Sequence, residues 1–432
     1  MRNVDVRERT GDTGVCPYPF DRPSAMEIAR EYGDIRNGSA VERVRMPSGD
    51  EAYLVTRYED VRTVLADPRF SRAATLEEGA PRLGPAPQNF PTLLNMDPPD
   101  HGRVRKMISR AFTARRVAVL EPHVKRLVGA YLDEMVDRGP TADLIADFAL
   151  RLPVQVICEL LGVPIGDRPK FGAWSRAFLA TTSEEYTAEQ VTEAQVALFT
   201  YLSELIAAKR AEPADDIISD LVRKNDETQE ISELELTFLG VTLLVAGHET
   251  TVNMIGNGVY ALLLNPSEMR RLIEQPELVD TAVEELLRLY GPGTEGLIRI
   301  TLEDVELSGV VIPAGAAVLP SLVSANRDER TFTDSERCDI ARDAAAHLSF
   351  SHGPHFCIGA ALARVELRES YREILRRLPG LALAVAPEDV PRPTGLLVNG
   401  VSELVVTWDD DEARALARDR RTVGADDAPH DR

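Results

Sequence analysis

The stretch FSHGPHFCIGAALAR, Phe350 to Arg364, places a single thiol, Cys357, after two histidines, His352 and His355, and between two glycines, Gly353 and Gly359. Cys357 directly precedes a run of helical periodicity, IGAALARVELRESYREILRRL, that stops at Leu378-Pro379-Gly380. A thiol at a helix N-terminus feels unpaired N–H groups and the positive end of the dipole, which favour thiolate. The glycines remove bulk on either side, as a flat ligand pressed against the loop would require. Three chemistries compete for such a thiol. Zinc could take His352, His355 and Cys357, but a fourth ligand is missing nearby. A nucleophilic cysteine could use His355 as its base and would still need an oxyanion hole. A thiolate ligand to haem iron accounts for the cysteine, the glycines and the helix dipole together.

Further polar groups stand where they need a reason. In AGHETT, residues 246 to 251, a carboxylate and two hydroxyls interrupt an apolar run, and burying them is costly unless they are paired or useful. They read either as a water-filled kink with threonines bonding the preceding turn or as a proton relay beside a small-molecule pocket. Gly247 lets something approach the backbone closely. Glu285 and Arg288 lie at i,i+3 and can pair on one helix face, a weak signal in isolation. His101 and Arg105, at i,i+4 in DPPDHGRVR, present two donors on one face.

The elements that must hold these residues are mostly helical. Ser232 and Glu235 form a capping box, and an apolar pattern then runs until Pro266 stops it. That is over thirty residues, roughly 50 Å at 1.5 Å per residue, so the helix must cross the core. His248, Glu249, Thr250, Thr251 and Asn253 in its middle argue against a membrane span. Strand-like alternation is confined to short pieces at 51–57, 305–312 and 403–408. The fold class is therefore mainly α with minor β. The Pro/Gly-rich segment 75–95 reads as a long loop of the kind that forms binding lids. Residues 1–17 read as a flexible segment, 18–408 as a single domain, and 409–432, charged and poor in large apolar residues, as a disordered tail.

Composition sets the outer limits. The chain has 432 residues, 44% of them hydrophobic, enough for a large core. Its 49 Lys+Arg against 70 Asp+Glu give a net charge of −21, which disfavours nucleic acid and anionic lipid as partners. The first fifteen residues lack the apolar core of a signal peptide, and a soluble cytoplasmic protein is expected. Cys16, Cys158, Cys338 and Cys357 are scattered without a C-x-x-C pair, so no disulfide framework is expected. Cys158 reads as a small core residue and Cys16 as part of a coil.

Taken in this order, the segments closely resemble the cytochrome P450 family from about Tyr18 to Trp408. Phe350, Gly353, His355, Cys357 and Gly359 match its haem-binding loop; Ala246, Gly247, Glu249, Thr250 and Thr251 its oxygen-activation motif; Glu285 and Arg288 its E-x-x-R pair. The resemblance implies the fold of that family, a long central helix over a haem b (iron protoporphyrin IX), with Cys357 as the iron's axial ligand. By the same resemblance His101, Arg105, Arg299 and His355 would hold the haem propionates, and Arg337 would join Glu285 and Arg288. Glu249 and Thr250 would be the catalytic acid–alcohol pair, and Ala246 and Gly247 would border the cofactor, Gly247 leaving room for dioxygen.

There are departures. Ser351 stands for the glycine that commonly follows the loop phenylalanine, Ser335 and Cys338 stand where proline and phenylalanine are usual, and GTEGLI (293–298) is polar for a substrate wall.

The chain is similar to bacterial, soluble members that tailor secondary metabolites. That implies a monooxygenase, acting as a monomer, that hydroxylates or epoxidises a polyketide- or macrolide-like natural product in antibiotic biosynthesis. Two alternatives stand beside it: oxidative coupling of aromatic substrates such as tryptophan- or tyrosine-containing cyclic dipeptides, and a non-catalytic haem sensor. No flavin, nicotinamide or iron–sulfur motif is present, so a ferredoxin and its reductase are implied as partners. Arg103, Lys106, Arg110, Arg115, Arg116, Arg372, Arg376 and Arg377 are the expected docking face.

Overall fold

The computed structural model describes residues 15–21, 26–83, 92–180, 186–293, 296–392 and 397–426. In chain order the helices are α1 (Arg30–Asn37), α2 (Tyr58–Ala66), α3 (Asp100–Ser109), α4 (Ala114–Arg138), α5 (Arg151–Leu161), α6 (Pro169–Phe178) and α7 (Ala188–Ala211). They continue as α8 (Ile217–Thr228), α9 (Glu233–Leu264), α10 (Pro266–Glu274), α11 (Val279–Tyr290), α12 (Leu322–Ala325), α13 (Ala360–Arg377) and α14 (Asp410–Asp426).

The caps written in the sequence are made. Ser232 Oγ accepts from the Glu235 N–H at 3.2 Å, and Glu235 Oε2 accepts from the Ser232 N–H at 2.7 Å. Thr187 and Gln190 repeat the device at the start of α7. Asn265 and Pro266 end α9, since proline disfavours helical backbone in the residue before it. α9 is long and apolar enough to cross a membrane, but most of it is enclosed by the rest of the fold. It packs against α5, α7, α11 and α13. One apolar core joins α4, α9, α11 and α13, and a second fills the space between α5, α7, α8 and the first half of α9.

Eleven strands are described: β1 (Cys16–Pro17), β2 (Val41–Arg45), β3 (Glu51–Val55), β4 (Phe70–Ser71), β5 (Thr141–Asp143), β6 (Arg299–Thr301), β7 (Val305–Leu307), β8 (Val310–Ile312), β9 (Ala317–Pro320), β10 (Ala382–Leu383) and β11 (Val405–Thr407). The largest sheet runs β1-β2-β3-β9-β6-β4. β2 and β3 form a hairpin, whereas β3 pairs in parallel with β9, Ala52 opposite Ala317, and β4 pairs with β6. The sheet therefore ties the first seventy residues to residues 299–320, beside the thiol loop.

Three sequence expectations change. The segment beyond Trp408 is not a disordered tail as far as Asp426: it forms α14, with Ala413 and Ala417 buried against the core and Arg420 bonded to Asp133 at 3.0 Å. Alanines at i,i+4 make a narrow apolar stripe that composition averaging hides, and Asp410, Asp411 and Glu412 suit the positive end of the dipole. Within the expected flexible segment, Cys16 and Pro17 pair with β2 and Cys16 is buried, so it lies in a strand rather than a coil. Segment 75–95 is closed at its ends by helical turns Ala73–Leu76 and Leu93–Asn95. Residues 1–14, 84–91, 294–295 and 427–432 lie outside the described residues.

Candidate active site

The thiol loop is built from backbone. The Cys357 N–H donates to the Phe350 carbonyl at 2.8 Å, and Gly353–His355 form one tight helical turn between them. Gly353 has φ +69°, and a Cβ there would sit 2.8 Å from Ala66 Cα, so this glycine serves the approach of α2 and not a ligand. Gly359 fits the flat-ligand reading: its nearest neighbour would be Cys357 Sγ at 4.0 Å. Ser351 also sits at positive φ, +65°, which explains why a glycine suits that position better.

Crowding by protein raises the Cys357 thiol above its ordinary pKa, against the pull of the Gly359 N–H, Arg105 and Arg364. Cys357 is nevertheless exposed, so it is surrounded by protein and faces open space at once. Arg105 Nη2 donates to the neighbouring Phe356 carbonyl at 2.6 Å.

Next to the loop the fold collects basic side chains. The rings of His101 and His355 lie 4.4 Å apart. Arg299, on β6, bonds the Leu297 carbonyl at 3.0 Å. Arg72, which the sequence reading missed, is buried with Nε on the Leu94 carbonyl at 2.8 Å and Nη1 on the Ile298 carbonyl. Burial, with Arg299 beside it, lowers Arg72 to about 9, and burial lowers Arg299 to about 10. Burial and then His101, Arg299 and Arg72 push His355 down to about 3, so its ring is neutral.

Asp97 is the nearby carboxylate, and it is spent on the Ser71 hydroxyl and on the N–H groups of Arg72 and Ala73. Neither Arg72 nor Arg299 reaches a carboxylate within ion-pair distance among the described residues. Buried guanidinium groups without a counter-ion are costly, and His101 Nε2 is a buried nitrogen without a partner. A ligand with carboxylates at this edge would satisfy all of them. The thiol, the open side of Gly359 and this cationic edge together fit a haem.

The middle of α9 supplies the other wall. Ala246 is exposed although Val245, His248 and Glu249 are buried, so the helix bares one position there. Thr250 Oγ1 donates to the Ala246 carbonyl at 2.9 Å, the back-bonding of the kink reading, while remaining accessible. Glu249 is buried and Oε1 has no hydrogen-bond partner. Gly247 does not open a space with its missing side chain: a Cβ there would lie 2.6 Å from Ile157 Cγ1 on α5. Its glycine is required for the crossing of two helices.

The E-x-x-R pair is fully buried. Arg288 Nε and Nη2 donate to Glu285 at 2.7 and 2.8 Å, and Arg288 Nη1 donates to the Asn326 and Ser335 carbonyls. The third member is Arg342, whose Nε donates to Glu285 at 3.0 Å; Arg337 contributes its backbone carbonyl, not its guanidinium. Ser335 and Cys338 are both buried beside this network.

A second network went unread: Glu284 takes two bonds from Arg364, at 2.6 and 2.8 Å, and lies 3.2 Å from His347. Burial opposes its charge, yet Arg364 and His347 hold Glu284 down at about 2. Arg364 in turn stacks over the Phe350 ring at 4.6 Å. The His352 side chain has no hydrogen bond or ion pair among the described residues.

The expected docking face shrinks. Arg377 is buried on Asp133, Arg103 is bound to Glu235 at 2.6 Å, and Arg372 and Arg376 are engaged by Glu369 and Glu373. Neighbouring carboxylates on the same or crossing helices take these charges. Arg116 keeps a long contact to Asp220, and Lys106, Arg110 and Arg115 have no ion pair among the described residues.

Comparison with known proteins agrees with this geometry. The family model described as Cytochrome P450 matches residues 185–399. The chain is 45% identical over 393 residues to mycinamicin IV hydroxylase/epoxidase of Micromonospora griseorubida, covering 90% of this chain and 98% of that one. It is 46% identical over 398 residues to nocardicin C N-oxygenase of Nocardia uniformis subsp. tsuyamanensis, covering 92% and 99%. The crystal structure of the LnmA cytochrome P450 hydroxylase from the leinamycin pathway of Streptomyces atroolivaceus superposes with TM-score 0.83 at 44% identity, covering 91% and 100%. The thiol loop, the interrupted central helix and relatives aligned over nine-tenths of the chain lead to one conclusion: the chain belongs to the cytochrome P450 family, a mainly helical fold of haem b-dependent monooxygenases.

Proposed function

We propose that this enzyme hydroxylates or epoxidises a polyketide- or macrolide-like natural product, with Cys357 as the ligand of the haem iron and Glu249 and Thr250 as its proton-delivering pair. The observation that carries the residue assignment is the pairing of an exposed thiol at the base of α13 with a basic cluster of Arg72, His101, Arg105, Arg299 and His355, in which neither Arg72 nor Arg299 has an ion-pair partner among the described residues. The substrate class rests on relatives named for acting on mycinamicin and nocardicin.

When bound, the haem supplies dioxygen activation, and the thiolate's donated charge favours O–O cleavage. The protein's part is to hold and protonate. Arg105 fixes the thiol loop through Phe356, and Arg72, Arg299 and their basic neighbours would hold the carboxylates of the haem with charge-assisted bonds. Thr250 presents a hydroxyl on the accessible side of α9 and Glu249 stands behind it as an acid, so a proton can pass from carboxyl to hydroxyl through ordered water. Electrons come from separate proteins, a ferredoxin and its reductase, docking at Lys106, Arg110 and Arg115.

The test is spectroscopic. Reduced protein with carbon monoxide should show the Soret band of thiolate haem, and Cys357→Ser should abolish it; full retention would overturn the assignment. A panel of small molecules read by the spin-state shift then finds the substrate class. With a substrate in hand, Thr250→Ala should divert most reducing equivalents to peroxide, roughly tenfold or more less product per electron, whereas unchanged coupling would remove Thr250 from the relay.

A further inference from the structure

One face of α9 continues past the candidate site. Ala246, Thr250, Asn253 and Asn257 follow one another at helical spacing and share that face, and Asn257 stands about 10 Å beyond Thr250 at 1.5 Å per residue. Accessibility falls along the stripe: Ala246 is exposed, Thr250 and Asn253 are half-buried, and Asn257 is buried. The open face therefore has a closed end, and the side chains at that end are amides.

Asn257 joins three parts of the chain. Its Nδ2 donates one hydrogen to the Tyr290 carbonyl, at the end of α11, and the other to the Asn399 carbonyl, both at 3.1 Å. Oδ1 is buried without a partner, and turning the amide over would set that oxygen against two carbonyl oxygens, so the chemistry fixes which end is which. The Asn399 N–H in turn donates to the Pro292 carbonyl at 2.8 Å, which ties the two segments to each other. Gly400 lies against the same face of α9: a Cβ there would run into the Asn253 side chain.

The joined segments lead from this node to the candidate site. The one after Tyr290 runs to Leu297 and Ile298, whose carbonyls accept from Arg299 and Arg72 of the basic cluster. The other begins at Leu397, whose N–H donates to the Leu179 carbonyl just beyond α6 at 3.0 Å. Leu297, Ile298 and Leu397 are apolar and only half-buried, as the lining of a pocket for a large apolar ligand would be. No described residue of 291–298 or 397–404 belongs to a helix or strand, so single hydrogen bonds set where these segments lie. Asn257 makes one with each end.

We propose that Asn257 is a positioning residue for ligand binding: one buried amide holds two separate wall segments at a common distance from the accessible face of α9, and so sets the fit of ligands large enough to reach both. The proposal rests on the reading of that face as the side of the haem where ligands bind. Without the amide two buried carbonyls lose their donor, and each segment is free to move apart from the other.

The test is an absorbance titration of the haem-loaded enzyme with two iron-binding probes: imidazole, which needs little beyond the iron, and clotrimazole, which carries three aryl rings on the same group. Asn257→Ala should weaken clotrimazole roughly tenfold or more, as for a pocket that is in its binding form about one-tenth of the time, and leave imidazole unchanged. Unaltered clotrimazole binding, or an equal loss for both probes, would overturn the proposal, because a merely structural role lowers the melting temperature without separating the two. Gly400→Ala keeps Asn257 and lifts the same turn off Asn253. Where Asn257→Ala does not load haem, this variant carries the test: the same selective loss is expected, and its absence counts against Asn257. The carbon-monoxide Soret band of the parent separates the two readings. A parent without the thiolate band sinks the haem assignment and this proposal with it, whereas a parent with the band and no selective loss in the variants sinks this proposal alone.

Discussion

Glu366 is buried inside α13, one of its oxygens has no partner, and burial pushes its carboxyl up to about 8 from an ordinary 4.5. The native state thus keeps its proton up to about pH 8, while the unfolded chain gives it up near pH 4.5. Between those values the unfolded state binds fewer protons, so stability falls as pH rises. At neutral pH the penalty is about 3 kcal/mol. Glu366→Gln keeps the shape and removes the titration. Its melting temperature should match that of the parent below pH 4.5 and exceed it increasingly toward pH 8; a difference that ignores pH would show that Glu366 is not held as an acid.

At this scale the candidate residues could be picked out because each sits in a dense local pattern, as Cys357 does. Arg72 was not, since in RFSR it looks like any surface arginine. Its burial follows from a turn after β4 meeting the segment before β6, 226 positions away. Arg342 displaced Arg337 for the same reason: which of two nearby arginines turns inward is decided by an irregular loop.

Helices carried their ends and their faces in the sequence, but not always the purpose of their small residues. The capping box and Pro266 bounded α9 to within a residue or two. Gly247 signalled a close approach, and only the fold shows that the approaching group is Ile157 on α5. Gly247→Ala should therefore cost about 1–3 kcal/mol by overpacking, read as a lowered urea midpoint. Combined with Ile157→Ala, the loss should be smaller than the sum of the two single losses. Simple additivity would mean that the helices adjust elsewhere.

α14 was missed because a charge count weighs the outer face of a helix as heavily as its stripe of alanines. Removing residues after Asp409 exposes the ground that Ala413 and Ala417 cover and frees Asp133 from Arg420. A loss of about 2 kcal/mol is expected, with the thiolate Soret band unchanged because α14 rests on α4 and the far end of α13. A shortened chain with full thermal stability would return the segment to the status of a tail.

The whole molecule is closed by pairings between its ends. β3 lies beside β9 and β4 beside β6, and the cationic edge joins Arg72, His101 and Arg105 to Arg299 and His355. Contacts of such sequence separation are slow to form and arrive late, and a chain made from its N-terminus holds β3 as an unpaired edge until residues 317–320 emerge. A nascent chain that stops short of Arg299 has neither a finished sheet nor the second half of the basic cluster, and one that stops short of Cys357 lacks the thiol proposed to hold the iron. With the proposed ligand set, capture of the cofactor is timed to the end of synthesis, and a truncated product is left colourless by its own topology.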